Sequence, residues 1–282
     1  MPNLKLIATH VAPKASYSEN ITDMTLVETR QGAVLVALSN NGMVLTDYAL
    51  TNADTAARFI QQSAPKTYGT YYGTPQLDVV PGPDNSYHIA VTGRQDSVYS
   101  SLLMAGDGSF NGYGPLFRKG QISGDIVVLD AFGIGDQDYL LAGRNGSLAL
   151  QLYRMGADLS LVGLGSAAPG RRVATDSEYS DIELHGLGSR TFAFATSARG
   201  NLLGVYEVAS GGLATKAVID GSNQIGISAP REVAAMATAN GYFLVVSGGE
   251  SDSLTVFRIA SSGGLGLRDH VVDAATTRFQ AV

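Results

Sequence analysis

Apolar residues in this chain fall into short runs, and the runs recur. "AVLVALS" (Ala33–Ser39), "YHIAVTG" (Tyr87–Gly93), "YLLAG" (Tyr139–Gly143), "TFAFATS" (Thr191–Ser197) and "YFLVVSG" (Tyr242–Gly248) are almost continuously apolar and end on a small residue. Those final residues are 54, 50, 54 and 51 positions apart. A near-constant period of this length marks a repeat architecture in which each unit buries its apolar surface against its neighbours. Short continuous apolar runs between turn signals predict strands covered on both faces.

The units share an internal order. A run such as "MTLVET", "DIVVLDA" or "DIELHGL" comes first and the apolar run second. A turn rich in glycine or asparagine follows: "NNG" (Asn40–Gly42), "RNG" (Arg144–Gly146), "RGN" (Arg199–Asn201) or "GGESD" (Gly248–Asp252). Such residues accept the positive φ of tight hairpins. The third run and its sequel form a recurring phrase, "SLTVFRIASSGGLGLRDHV" (Ser253–Val271), "NLLGVYEVASGGLATKAV" (Asn201–Val218) and "SLALQLYRMGADLSLV" (Ser147–Val162). The fourth run carries charges (Lys216, Arg268, Asp269), as an outer edge strand exposed to water does.

This grammar predicts an all-β chain, a β-propeller of about five four-stranded repeats of roughly 50 residues in a single domain over 1–282. The units run over about 13–62, 63–118, 119–163, 164–219 and 220–272. A twisted β-sandwich is the alternative, but it leaves the period unexplained. The segment 3–12 resembles the fourth strand Leu265–Asp273, with His10 opposite His270, and is a candidate closing strand. Thr276–Val282 reads like the opening of a sixth unit, so the ring is expected to be incomplete, or completed by that N-terminal strand or by a partner chain.

Composition narrows the function classes. Hydrophobic residues are 45% of the 282 and charged residues 16%, ample for a core; net charge is −6 and no Lys/Arg run is present, which argues against a nucleic-acid partner. The absence of cysteine excludes disulfides, thiolate metal sites and a cysteine nucleophile. No stretch approaches the ~20 apolar residues that a membrane-spanning helix needs, and "MPNLKLIATHVAPK" lacks the apolar segment of a signal peptide.

The last fifth, "GISAPREVAAMATANGYFLVVSGGESDSLTVFRIASSGGLGLRDHVVDAATTRFQAV" (Gly226–Val282), resembles the N-terminal propeller region of bacterial RTX, or haemolysin-type calcium-binding, proteins. "DHVVDAATTRFQAV" is its most specific part, and the likeness fades toward the first two units. More distantly, "SLTVFRIASSG" is similar to the blade phrase of lactonase-like seven-bladed propellers. The first resemblance implies a secreted or surface-displayed bacterial protein, and calcium as the family's cation. The calcium-binding G-G-x-G-x-D nonapeptides are missing, however, and "GGESDS" (Gly248–Ser253) does not fit them, so no cofactor is expected.

Residues with chemical potential are few. His10, His88, His185 and His270 lack metal-ligand spacing and read as structural. "GIGDQD" (Gly133–Asp138) and "AGDGSFNG" (Ala105–Gly112) read as turns, having neither an EF-hand ligand series nor a P-loop lysine. "GLGSR" (Gly186–Arg190) is not a nucleophile elbow. Asp23, Asp78, Asp125 and Asp181 recur near the first strand of four units, where a propeller's central channel is lined, and could hold a cation or polar ligand there or simply terminate loops. Tyr68, Tyr71 and Tyr72, in "TYGTYYGTP", lie in the link between the first two units and offer flat contact area with polar tips.

Three functions compete. The leading one is a non-catalytic binding or adhesion propeller on a secreted protein or a cell or virus-like particle surface. It would recognise a glycan or a surface protein through Tyr68, Tyr71 and Tyr72. The second is a lactonase-like hydrolase using the channel carboxylates; the third is a structural subunit that self-associates through open strand edges.

Overall fold

A computed structural model describes residues 21–29, 32–39, 44–50, 58–63, 76–81, 87–92, 100–104, 110–113, 126–156, 160–170 and 177–272. The closing-strand segment 3–12, the stretch after Val272, and Tyr68, Tyr71, Tyr72 and Asp125 lie outside the described residues. Apart from a three-residue 3-10 turn at Asn223–Ile225, the regular structure of the described residues is all β.

Twenty strands form four-stranded antiparallel sheets in which each strand pairs with its neighbour in sequence. β1 (Ile21–Thr29), β2 (Gly32–Ser39), β3 (Val44–Leu50) and β4 (Arg58–Ser63) make the first sheet; β5 (Gln76–Pro81), β6 (Tyr87–Thr92), β7 (Ser100–Met104) and β8 (Phe110–Tyr113) make the second. The third contains β9 (Ile126–Ile134), β10 (Gln137–Arg144), β11 (Leu150–Met155) and β12 (Leu161–Ala167). The fourth contains β13 (Asp181–Leu187), β14 (Arg190–Ser197), β15 (Leu202–Ala209) and β16 (Gly212–Asp220). The fifth contains β17 (Pro230–Thr238), β18 (Gly241–Gly248), β19 (Ser253–Ile259) and β20 (Leu265–Val272). The sheets group into two compact units, β1–β8 in one and β9–β20 in the other.

The recurring phrase has a structural cause that its letters conceal. In every sheet the register between third and fourth strands slips, at Asp47/Tyr48, Leu102/Met104, Leu152/Tyr153, Val205/Tyr206 and Val256/Phe257. Such a β-bulge re-aims the side chain that follows it and tightens the local twist. Four of the five slips fall immediately before an aromatic residue. Tyr153, Tyr206 and Phe257 are all buried, and the bulges of the fourth and fifth sheets deliver Tyr206 and Phe257 into the sheet-to-sheet core.

Among the described residues β14 stands between two core clusters. Its residues alternate in size as well as direction: Ala193 and Ala195 join Tyr139, Leu141, Leu150 and Leu152 of the third sheet, while Phe192 and Phe194 join Val233, Leu244, Val246, Phe257 and Ile259 of the fifth. Large side chains on one face and small ones on the other let sheets meet on both sides without overpacking. The expected double burial of the second strand thus holds for "TFAFATS". In the third, fourth and fifth sheets the last strand is the wet one, with β20 exposed along nearly its whole length.

The turn residues also behave as expected. Gly146, Gly188 and Asn201 adopt positive φ (65°, 67° and 46°), the conformation for which those short connections need glycine or asparagine.

Candidate functional site

The first strand of each sheet pairs on one side only, so its outward N–H groups need acceptors from elsewhere. Carboxylates from the preceding sheet supply them. Asp23 Oδ2 on β1 accepts from the Leu77 N–H of β5 at 2.8 Å. In the other unit Asp130 Oδ2 on β9 accepts from Leu184 N–H of β13 at 2.9 Å, and Asp181 Oδ2 on β13 accepts from Val233 N–H of β17 at 2.8 Å. Glu183 accepts from the Ala235 N–H of β17. Three of the four carboxylates found in sequence also bind their own strand: Asp23, Asp78 and Asp181 each accept the following residue's N–H, from Met24, Val79 and Ile182 at 2.8, 2.7 and 2.9 Å.

The recurring acids therefore join adjacent first strands to one another. Asp23 and Asp181 were found by spacing; Asp130 and Glu183 were not. Both lie further along the first strand than the residues chosen; the D-x-E alternation of "DIELHGL" would have found Glu183, whereas Asp130 stands five residues after Asp125 in "DIVVLDA", outside such an alternation. Two residues of a strand separated by one share a face.

On β13 that face carries chemistry. Asp181, Glu183 and His185 alternate along the strand, about 6.8 Å from one to the next. Burial dominates both carboxyls. It raises Asp181 to about 8, against the opposing pull of the N–H bonds from Val233 and Ile182 and with added repulsion from Glu232 and Glu183. It raises Glu183 to about 7, partly offset by the Ala235 N–H.

His185 extends the row. Burial lowers its pKa and favours the neutral imidazole, and its ring meets Tyr242 edge-on with centroids 5.5 Å apart. Its Nε2 is buried and has no hydrogen-bond partner. Among buried side chains an unsatisfied nitrogen is uncommon and costs stability. The sequence placed His185 among structural residues, and its ring contact fits that reading; the open nitrogen does not.

Among the described residues no group of three or more His, Asp or Glu is arranged to hold a metal ion. Gly133–Asp138 spans the β9–β10 hairpin, with Gly135 at φ 61°, and Gly186–Arg190 spans the β13–β14 hairpin. Both are turns, as expected. His270 lies on the exposed strand β20. No helix of the described residues is long and apolar enough to cross a membrane.

No family model matches the sequence, and no curated protein matches it either, so the RTX resemblance finds no support there. Solved structures do match. A putative 6-phosphogluconolactonase from Bacteroides uniformis superposes with a TM-score of 0.63 at 15% identity, covering 95% of this chain and 74% of that one. The periplasmic gluconolactonase of Pseudomonas aeruginosa gives 0.57 at 16% identity, covering 89% of this chain and 85% of that one. The Bombyx mori GH32 β-fructofuranosidase gives 0.54 at 12% identity, covering 88% and 63%. These likenesses show the fold, a β-propeller, and at such identities the fold alone.

Proposed function

We propose that this chain is a lactonase-like hydrolase that opens a sugar-derived lactone, with Glu183 as its base. The observation that carries the reading is the Glu183 carboxyl: it sits between Asp181 and His185 on one face of β13 and is held near 7, where a residue can both take and return a proton. Two structural neighbours are named as gluconolactonases, which supports this chemistry over adhesion.

In the proposed step ionised Glu183 removes a proton from water as the water oxygen attacks the ring carbonyl. The tetrahedral adduct collapses, the ring C–O bond breaks, and Glu183 returns the proton to the departing ring oxygen. The product is the open hydroxy acid and Glu183 is again ionised. Asp181, with both oxygens engaged by backbone N–H groups, positions β17 against β13 and does not touch the reacting atoms.

The adhesion reading rests on Tyr68, Tyr71 and Tyr72, outside the described residues, and gains no support from the fold neighbours. The grouping of 1–282 as one propeller of about five units belongs to this same proposal.

The test is a pH-stat assay of the full chain on five- and six-membered sugar lactones, corrected for spontaneous opening. Acceleration by the wild type, lost at least 100-fold in Glu183→Gln with its melting temperature retained, is the expected result. A wild type no faster than buffer on every lactone would remove the reading.

A further inference from the structure

A second feature lies at the hairpin end of the fifth sheet. The β17–β18 and β19–β20 connections come together there around a groove of about 710 Å³. That volume falls within the ~300–1,000 Å³ of small-ligand sites. Its floor is low because Gly241, Gly264 and Gly266 contribute no side chains. Arg258 runs across Gly241, its Nε within 3.6 Å of where a Cβ would stand. Arg268 lines the same groove; it is the extra residue of the β19–β20 bulge, opposite no residue of β19.

Both arginines are exposed, and among the described residues neither forms an ion pair; the described pairs instead join Arg190 and Lys216 to Glu207. Two uncompensated guanidiniums at one groove stand out in a chain of net charge −6. Surface arginines are ordinarily solvated singly; two brought together repel each other unless an anion sits between them. Beside them the Tyr242 ring, 37% exposed, and the hydroxyl-bearing Ser261 line the same space. A ring face and hydroxyl partners suit a pyranose, whose C–H face stacks while its hydroxyls hydrogen-bond.

We infer that this groove binds a small acidic saccharide, its carboxylate or sulfate held by Arg258 and Arg268 and one ring laid on Tyr242. The guanidinium fork accepts either anion in two-point contact, so carboxylate and sulfate are two sources of the same chemistry. The groove adjoins the carboxylate row through Tyr242, whose ring also meets His185, but Arg258 and Arg268 take no part in the reaction assigned to Glu183, and binding there does not depend on it.

Isothermal titration of the full chain with four probes tests this: a galacturonic acid trisaccharide, a sulfated heparin-derived tetrasaccharide, a neutral cellotriose, and inorganic phosphate. Saturable binding of one or both acidic saccharides is expected, weakened at least 10-fold by Arg258→Ala, by Arg268→Ala and by Tyr242→Ala, and weakened by added salt. The carboxylated and sulfated probes distinguish the two anions. Arg258→Lys keeps the charge and loses the fork, so it should retain only part of the affinity; it also serves if an alanine variant fails to fold. Absence of binding by both acidic probes, affinity undiminished in the Arg258→Ala/Arg268→Ala double variant, or phosphate binding as tightly as the saccharides would each overturn the inference.

Discussion

The hydroxyls of Tyr179 and Tyr206 are hydrogen-bonded to each other inside the core between the third and fourth sheets. Their rings meet edge-on, with centroids 6.3 Å apart at 89°. Burial raises both phenols, Tyr206 to about 12, so neither ionises in any ordinary buffer. Each hydroxyl is then the other's partner in a place water does not reach. Removing one strands the other, whereas removing both leaves only apolar rings. Tyr179→Phe or Tyr206→Phe alone should each cost about 1–3 kcal/mol, and the double phenylalanine variant should cost less than the sum of the two. Urea denaturation of the four proteins measures the cycle; strict additivity would mean that the pair is not coupled.

Gly204 makes room for that pair. A Cβ there would stand 2.7 Å from the Tyr206 ring and 2.8 Å from its hydroxyl. The ring has no room to swing clear, because it is fully buried in the core against Tyr179 and the bulge lies at its backbone. Gly204→Ala should therefore destabilise by about 1–3 kcal/mol although it adds one methyl group. Adding Tyr206→Leu to Gly204→Ala should recover part of the loss if the clash is its source, and thermal melts of the two variants would show it.

Asn201 closes the β14–β15 hairpin at φ 46°, and its side chain ties down the loop that leads to the fifth sheet. Its Oδ1 accepts from Ala229 N–H at 2.9 Å and its Nδ2 donates to Gly221 carbonyl oxygen at 3.0 Å. Asn201→Gly keeps the backbone conformation and loses both bonds; Asn201→Ala loses the bonds and adds a left-handed strain of about 1–2 kcal/mol. The expected order of stability is wild type, then Asn201→Gly, then Asn201→Ala, and hydrogen exchange at Ala229 N–H should quicken in both variants. An alanine variant as stable as the glycine one would refute the strain.

These residues show what could be read from the sequence and what could not. The five apolar runs, the hairpin turns at Arg144–Gly146 and Arg199–Asn201, and the polar fourth strands depend on local periodicity and φ, and they were legible. The bulge was not. It shows in sequence only as an aromatic residue recurring at Tyr48, Tyr153, Tyr206 and Phe257, and an aromatic in a strand needs no bulge. The acids were legible in part. Asp23 and Asp181 stand out because they lie at or near the start of their strands, but Asp130 and Glu183 matter only because an N–H of the next sheet lies opposite, and that is a tertiary fact. His185 was passed over for the same reason, since what distinguishes it is a nitrogen that packing leaves without a partner.

The carboxylate row also makes stability depend on pH in an unusual direction. Asp181 and Glu183 have folded-state pKa values raised by burial, to about 8 and about 7, above their values in an unfolded chain. The folded protein therefore binds more protons than the unfolded one between roughly pH 4 and 8. Their contribution is fully present below the unfolded carboxylate pKa and is lost as pH rises through 7 to 8, the reverse of an ordinary salt-bridged acid. Unfolding free energy, measured by urea at intervals from pH 5 to 9 in fixed ionic strength, should fall across that range by roughly 1–3 kcal/mol, a span that allows for solvent reaching part of each carboxyl. Glu183→Gln keeps an oxygen for Ala235 N–H and removes the titration, so its profile should be flatter, and the step that remains should centre on Asp181. If the wild type instead gains stability between pH 6 and 9, the N–H bonds from Val233, Ile182 and Ala235 outweigh burial, and the two carboxylates are ionised staples with no proton to exchange near neutrality. In that case Glu183 could still fasten β13 to β17, but it could not serve as the base assigned to it.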